Sequence, residues 1–101
     1  MFILIPVDGK DEKKSKITTV MSVERWALVH FEEGEAKSVS FFEDRMQTGA
    51  EWIDFVVLEN KFENYMEFME EGMMVLSRRS EETIEEIIEA FKFKELDEVG
   101  L

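Results

Sequence analysis

One histidine, no cysteine and twenty-four carboxylates limit the chemistry open to this chain of 101 residues. The histidine is His30, and one imidazole without converging partners makes a poor metal site. A strand histidine with an ordinary hydrogen bond is the plainer reading. The lack of cysteine removes disulfides, thiolate nucleophiles and every Cys-ligated zinc or iron–sulfur centre. The residues therefore point to no enzyme, no metal site and no cofactor of the chain's own. Asp8, Asp44 and Glu59 each follow a predicted strand. Carboxylates converging at strand ends can hold two Mg²⁺ ions for in-line phosphodiester cleavage, because Mg²⁺ takes hard oxygen ligands. In so acidic a chain, solvated loop carboxylates are the simpler account.

The basic residues are patterned more sharply. Lys10 follows the first predicted strand, Lys61 the fourth, and Arg78-Arg79 the fifth, with Lys13, Lys14 and Lys16 in the adjoining loop. In open α/β sheets ligands bind outside the carboxyl ends of the parallel strands, and helix N-termini favour anions. Lys10, Lys61, Arg78 and Arg79 are thus expected to form an anion-accepting crevice. It would take a phosphate-bearing or carboxylate ligand, or the acidic segment of a protein partner. The competing reading is that these cations only balance nearby acids in polar loops.

Twelve basic against twenty-four acidic side chains leave a net charge of −12. Such a field repels phosphate backbones and anionic membrane surfaces, so neither nucleic acid nor membrane is an expected partner. No apolar run approaches the ~18 residues that would cross a bilayer. Met1 to Val7 is too short for a signal peptide and lacks a basic flank, which makes the cytoplasm the expected location.

The elements that must position these residues fit one domain over 1–101. Phe2 to Val7 is a nearly continuous apolar run, the mark of a strand buried on both faces. Pro6 cannot donate to a ladder, so regular pairing should end near Ile5 or bulge at Pro6. Arg25 to Glu32 alternates Trp26, Leu28 and His30 with Ala27, Val29 and Phe31, and Glu33-Gly34 turns it into a returning strand over Ala36 to Phe42. Glu43 to Glu51 reads as a loop or one helical turn. Asp54 to Leu58 and Met73 to Leu76 are further buried strands.

Between those two strands, Asn60 and Glu63 form a capping-box pair, which predicts a helix with Phe62, Tyr65, Met66 and Met69 on its apolar face, stopped by Gly72. A last helix is capped by Ser80, has Glu81 and Glu82 at its positive end, and buries Ile84, Ile87, Ile88 and Phe91. Phe68 and Phe93 fall off these stripes and are the better candidates for exposed contact among aromatic residues that mostly belong to the core. Leu96 to Leu101 is expected to fray. The order β, hairpin, β, α, β, α predicts a mixed five-stranded α/β sheet with flanking helices.

Several strings in that order resemble the dinitrogenase iron–molybdenum cofactor biosynthesis family, the NifX-like proteins and the C-terminal domain of NifB. They are Ile3 to Gly9, Ser15-Lys16-Ile17, Glu33-Gly34-Glu35 before Lys37-Ser38-Val39, Asp54 to Val57, Gly72 to Val75, and Glu81 to Ile84 running to Glu89-Ala90-Phe91-Lys92. The resemblance spans nearly the whole chain through short pieces, and the order of the pieces carries it. It implies a ribonuclease H-like fold and a carrier or assembly role for iron–sulfur–molybdenum clusters. The family's Ser-Glu-His-Phe-Gly stretch is replaced here by Thr18-Thr19-Val20-Met21-Ser22, with Val20 where the candidate ligand histidine stands. Its glycine-rich loop shrinks to Thr48-Gly49-Ala50, and its later glycine pair becomes Glu59-Asn60-Lys61. The expectation is a non-catalytic binding module related to the carriers but lacking their cluster ligand. The alternatives are a carrier that uses His30 or a partner's residues and, third, a Mg²⁺-dependent nuclease.

Overall fold

The apolar run Phe2–Val7 becomes β1, an interior strand of the sheet, as a segment apolar on both faces requires. In the computed structural model, which describes residues 1–100, it is joined by β2 (Arg25–Glu32), β3 (Glu35–Phe42), β4 (Phe55–Leu58), β5 (Met74–Ser77) and β6 (Asp97–Glu98). The sheet order is β3-β2-β1-β4-β5-β6. β1, β4 and β5 are parallel neighbours, while β2, β3 and β6 pair antiparallel with theirs.

Over the described residues the sheet has six strands, not five. The tail does not fray over its described residues. Leu96 and Val99 are buried, and Asp97–Glu98 pairs with Leu76 and Ser77. Two buried residues three apart anchor a strand too short for any alternation to announce. Pro6 neither bulges nor ends the pairing with β2, where it sits opposite Trp26 in unbroken register. The parallel ladder to β4 ends at Leu4, and the Pro6 carbonyl instead accepts from the Thr18 N–H at 2.9 Å. The missing N–H thus falls where no ladder partner waits. The bulge lies between His30 and Phe31.

Two apolar layers flank the sheet. Ala27, Val29 and Phe31 face one layer, closed by helix α2 (Ile84–Lys92). Trp26 and Leu28 face the other with Leu4, Val56 and Leu58, closed by α1 (Met66–Glu70) and its flanking loops. Helix α1 is far shorter than predicted. Glu63 Oε2 does accept from the Asn60 N–H, the returning half of the expected capping box, but Asn60 Oδ1 accepts from the Phe62 N–H, and Asn64 Oδ1 from the Met66 N–H. These local side-chain bonds hold a turn that competes with helix. Phe62 is consequently 87% exposed, and Phe68, a candidate for exposed contact, is instead 3% exposed against Trp26. Gly72 (φ 88°) ends the helix as predicted, its N–H donating to Met69 and that of Met73 to Phe68.

Helix α2 is capped by Thr83 rather than Ser80. Thr83 Oγ1 accepts from the Glu86 N–H, and Glu86 Oε1 accepts from that of Thr83. Residues 81–83 stay outside the helix because their backbone is engaged elsewhere. Arg78 grips the Glu81 carbonyl, the Glu82 carbonyl accepts from Ile17, and Thr83 bridges to Lys16. Ile84, Ile87 and Ala90 are buried, with Ile88 and Phe91 packed partly against the same layer.

Candidate functional site

Because β1, β4 and β5 run parallel side by side, the loops that follow them leave the sheet at one end. Lys10, Lys61, Arg78 and Arg79 therefore share the carboxyl edge. Their charges are spent differently. Arg78 is half-buried. Its Nε donates to the Glu59 carbonyl at 3.1 Å and its Nη1 to the Glu81 carbonyl at 3.0 Å, with Nη2 3.8 Å from the Glu59 carboxylate. Arg79 is exposed and donates from Nε to Asp97 Oδ1 at 2.9 Å, tying the edge to β6. Both guanidiniums are thus already engaged in joining loops. Lys10 is exposed, and Lys61 lies over the Phe62 ring at 5.7 Å.

The loop after β1 is built on its own carboxylates. Asp8 Oδ1 accepts from the Lys16 N–H at 2.8 Å, and Asp11 Oδ1 from those of Lys13 and Lys14. The two N–H bonds, Lys13 first, hold the Asp11 carboxyl below the usual carboxylate range. Ser15 is buried with its Oγ accepting from the Asp11 N–H, and Lys16 Nζ lies 3.5 Å from Glu82.

Beside this loop runs the segment 18–22, where the resembled family carries its histidine. Val20 is half-buried against the Trp26–Phe68 layer. Its N–H donates at 2.7 Å to Glu63 Oε1, while Glu63 Oε2 accepts from the Asn60 N–H at 3.1 Å. One carboxylate therefore clamps the 18–22 segment to the turn after β4. Sequence reasoning caught the Asn60–Glu63 half of this clamp through its capping-box spacing. It missed the Val20 half, which joins residues 43 apart. It also passed over Arg45, whose side chain is 9% exposed, lies over the Phe68 ring at 4.9 Å, and bonds Glu67 and Glu71. Those bonds, that of Glu71 foremost, raise the Arg45 pKa, and Arg45 in turn lowers that of Glu71.

The remaining candidates stand apart. Asp44 caps the turn Arg45–Thr48 through the Met46 N–H, Asp8 serves its own loop, and Glu59 faces Arg78. Among the described residues no three His, Asp or Glu side chains gather as a metal-holding group. His30 sits opposite Phe2, at the far end of β1 from the carboxyl edge. Its ring stacks on Phe2 at 5.1 Å and its Nε2 lies 3.2 Å from Glu32 Oε1, which lowers the Glu32 pKa. A metal cluster carried as cargo asks for thiolate or imidazole donors. The carboxyl edge presents ammonium, guanidinium, carboxylate and a valine, and these do not fit it.

No protein-family model matches the sequence, and no curated protein matches it. Solved structures do. The crystal structure of a Methanocaldococcus jannaschii protein provisionally named a dinitrogenase aligns with a TM-score of 0.76 at 18% identity, over 99% of this chain and 95% of that one. An NMR structure under the same provisional name, from Methanococcus jannaschii, gives 0.77 at 20%, over 100% and 94%. The NMR structure of a provisional NifB protein from Thermotoga, placed in the DUF35 family, gives 0.71 at 21%, over 96% and 91%. At such identities the likeness is one of fold, and the chain has the mixed α/β fold of these proteins.

Proposed function

We propose that this chain is a non-catalytic cytoplasmic binding module related to iron–molybdenum cofactor carriers and assembly factors, on their ribonuclease H-like scaffold. It holds no cluster through its own side chains and acts by docking a protein partner or a small anion at the carboxyl edge. The fold shared with proteins provisionally named for dinitrogenase and NifB supports the kinship. The observation that carries the loss of cargo is the Glu63 clamp. Val20 stands where the resembled family carries its histidine, and Glu63 fastens its backbone to that of Asn60. Lys10 and Lys61 supply the cationic character that remains for a docking anion, since Arg78 and Arg79 are occupied.

Anaerobic reconstitution with iron and sulfide, followed by visible absorption after desalting, tests the first part. No stoichiometric chromophore should persist, and one held through the chain's own residues overturns the reading. The second part predicts that Lys10→Ala/Lys61→Ala weakens capture of an acidic peptide or of inorganic phosphate. Unchanged capture removes the carboxyl edge from the proposal.

A further inference from the structure

At the opposite end of the sheet, on the α2 face, a groove of about 710 Å³ opens between the starts of β4 and β5 and the end of α2. That volume falls within the roughly 300–1,000 Å³ typical of small-molecule sites. Its apolar floor is set in advance. The Phe91 ring packs edge-on against both Phe31 and Phe55, at 5.2 and 4.9 Å between centroids. Its lip leaves Phe93 65% and Met74 52% exposed, apolar surface that the fold itself does not cover.

The rim adds charge of one predominant sign. Lys92 and Lys94 line the groove, and neither forms an ion pair with an Asp or Glu among the described residues. Glu98 is the one acid in the lining among the described residues. Lys92 also suits the helix dipole at the end of α2. Lys94 has no such excuse, because it occupies the left-handed position (φ 57°) that glycine normally fills after a helix. The last-turn carbonyls of Ala90 and Phe91 are already satisfied by the N–H groups of Glu95 and Lys94, so they present little bare negative charge to a ligand. A side chain retained against backbone preference, beside uncovered aromatics, is the kind of outlier that accompanies binding sites.

We propose that this groove binds a free amphipathic carboxylate, its apolar chain lying on the Phe91 floor beneath Phe93 and its carboxylate between Lys92 and Lys94. The site is independent of the carboxyl edge and stands whether or not that edge docks a partner.

Calorimetric titration of the full chain with octanoate, decanoate and dodecanoate, below their micellar concentrations, tests it. Saturable one-to-one binding is expected, with affinity rising about fourfold for each CH₂ the groove buries. Dodecylammonium should bind at least about fivefold more weakly than dodecanoate, on the scale of an exposed charge pair changing sign. Lys92→Glu/Lys94→Glu should weaken dodecanoate about tenfold or more, and Phe93→Ser should weaken it too, whereas Lys37→Glu, outside the groove, should not. Absence of saturation, indifference to the headgroup's charge, or unchanged affinity in the Lys92/Lys94 variant each overturns the proposal. A concentration-dependent dimer that Phe93→Ser disperses would assign the groove to a second copy of the chain instead. The headgroup and chain-length comparisons use the unmodified protein, so they decide the matter even if a variant folds poorly.

Discussion

Removing the Glu63 carboxylate should unfasten the carboxyl edge. Glu63 accepts two backbone N–H bonds, from Val20 at 2.7 Å and Asn60 at 3.1 Å, both only part-buried. Hydrogen bonds to an ionised acceptor contribute about 1.5–3 kcal/mol each when buried. Partial exposure lowers this to roughly 1–1.5 kcal/mol each, so Glu63→Ala should cost about 2–3 kcal/mol. For a domain of this size that lowers Tm by roughly 8–20 °C. Glu63→Gln is the sharper probe. An amide keeps one acceptor oxygen and turns an NH₂ donor toward the other N–H, so it should lose at least half as much. Urea denaturation gives the stabilities, and amide hydrogen exchange localises the effect. The Val20 and Asn60 amides should lose protection beyond the global change. If Glu63→Ala costs under about 0.5 kcal/mol, or the Val20 amide exchanges as before, the clamp is not what fastens segment 18–22 and the case for a closed edge fails.

The other expectations are smaller. Gly72→Ala places a Cβ 2.5 Å from the Trp52 ring at a backbone φ of 88°, so it should cost at least about 1 kcal/mol and shift tryptophan fluorescence as Trp52 is displaced. A silent emission spectrum would show that the ring does not lie there. Lys94→Gly relieves a left-handed lysine at the end of α2 and should stabilise the protein by about 0.5–1 kcal/mol, read by urea denaturation, while reducing carboxylate binding in the groove. The Arg45–Glu71 pair lowers the Glu71 pKa, so its contribution is fully present above the usual carboxylate pKa and is lost as pH falls through the lower folded value. Glu71→Gln should therefore destabilise near neutrality by about 0.5–1 kcal/mol, and the gap to the unaltered chain should close as acid is added. A gap that stays constant with pH would refute the pairing.

What the sequence disclosed follows from the range of the interactions involved. β2 was legible to its last residue because alternation is local, and Trp26 and Leu28 do face the layer opposite Ala27, Val29 and Phe31. The turn Glu33-Gly34 and the stop at Gly72 were legible because positive φ restricts residue choice locally. Errors arose where a distant group decided a local matter. Thr83 caps α2 because Arg78 and Ile17 engage the carbonyls of residues 81 and 82 outside the helix. Phe68 is buried because α1 begins at Met66, after two asparagine turns that a helical stripe does not register. The basic edge was legible as a location, since parallel strands force Lys10, Lys61, Arg78 and Arg79 to one end. Which of those charges stay free was not, because their partners Glu81 and Asp97 come from segments expected to be helical or frayed.

A net charge of −12 does not by itself forbid an anion at that edge, because screening confines charge effects to about 8 Å at physiological ionic strength. The local balance decides. There Glu82 faces Lys16, Asp97 faces Arg79, and Glu59 faces Arg78. The cations left without such a partner among the described residues are Lys10, Lys13, Lys14 and Lys61. They are long exposed side chains carried on two separate loops. A compact phosphate needs several donors directed at one place, and exposed lysines hold it weakly. An acidic segment presents its charges at intervals and can meet dispersed lysines one by one, each contact adding a modest increment. Of the two ligands proposed for the carboxyl edge, the segment of a protein partner is the one that exposed lysines carried on two loops favour.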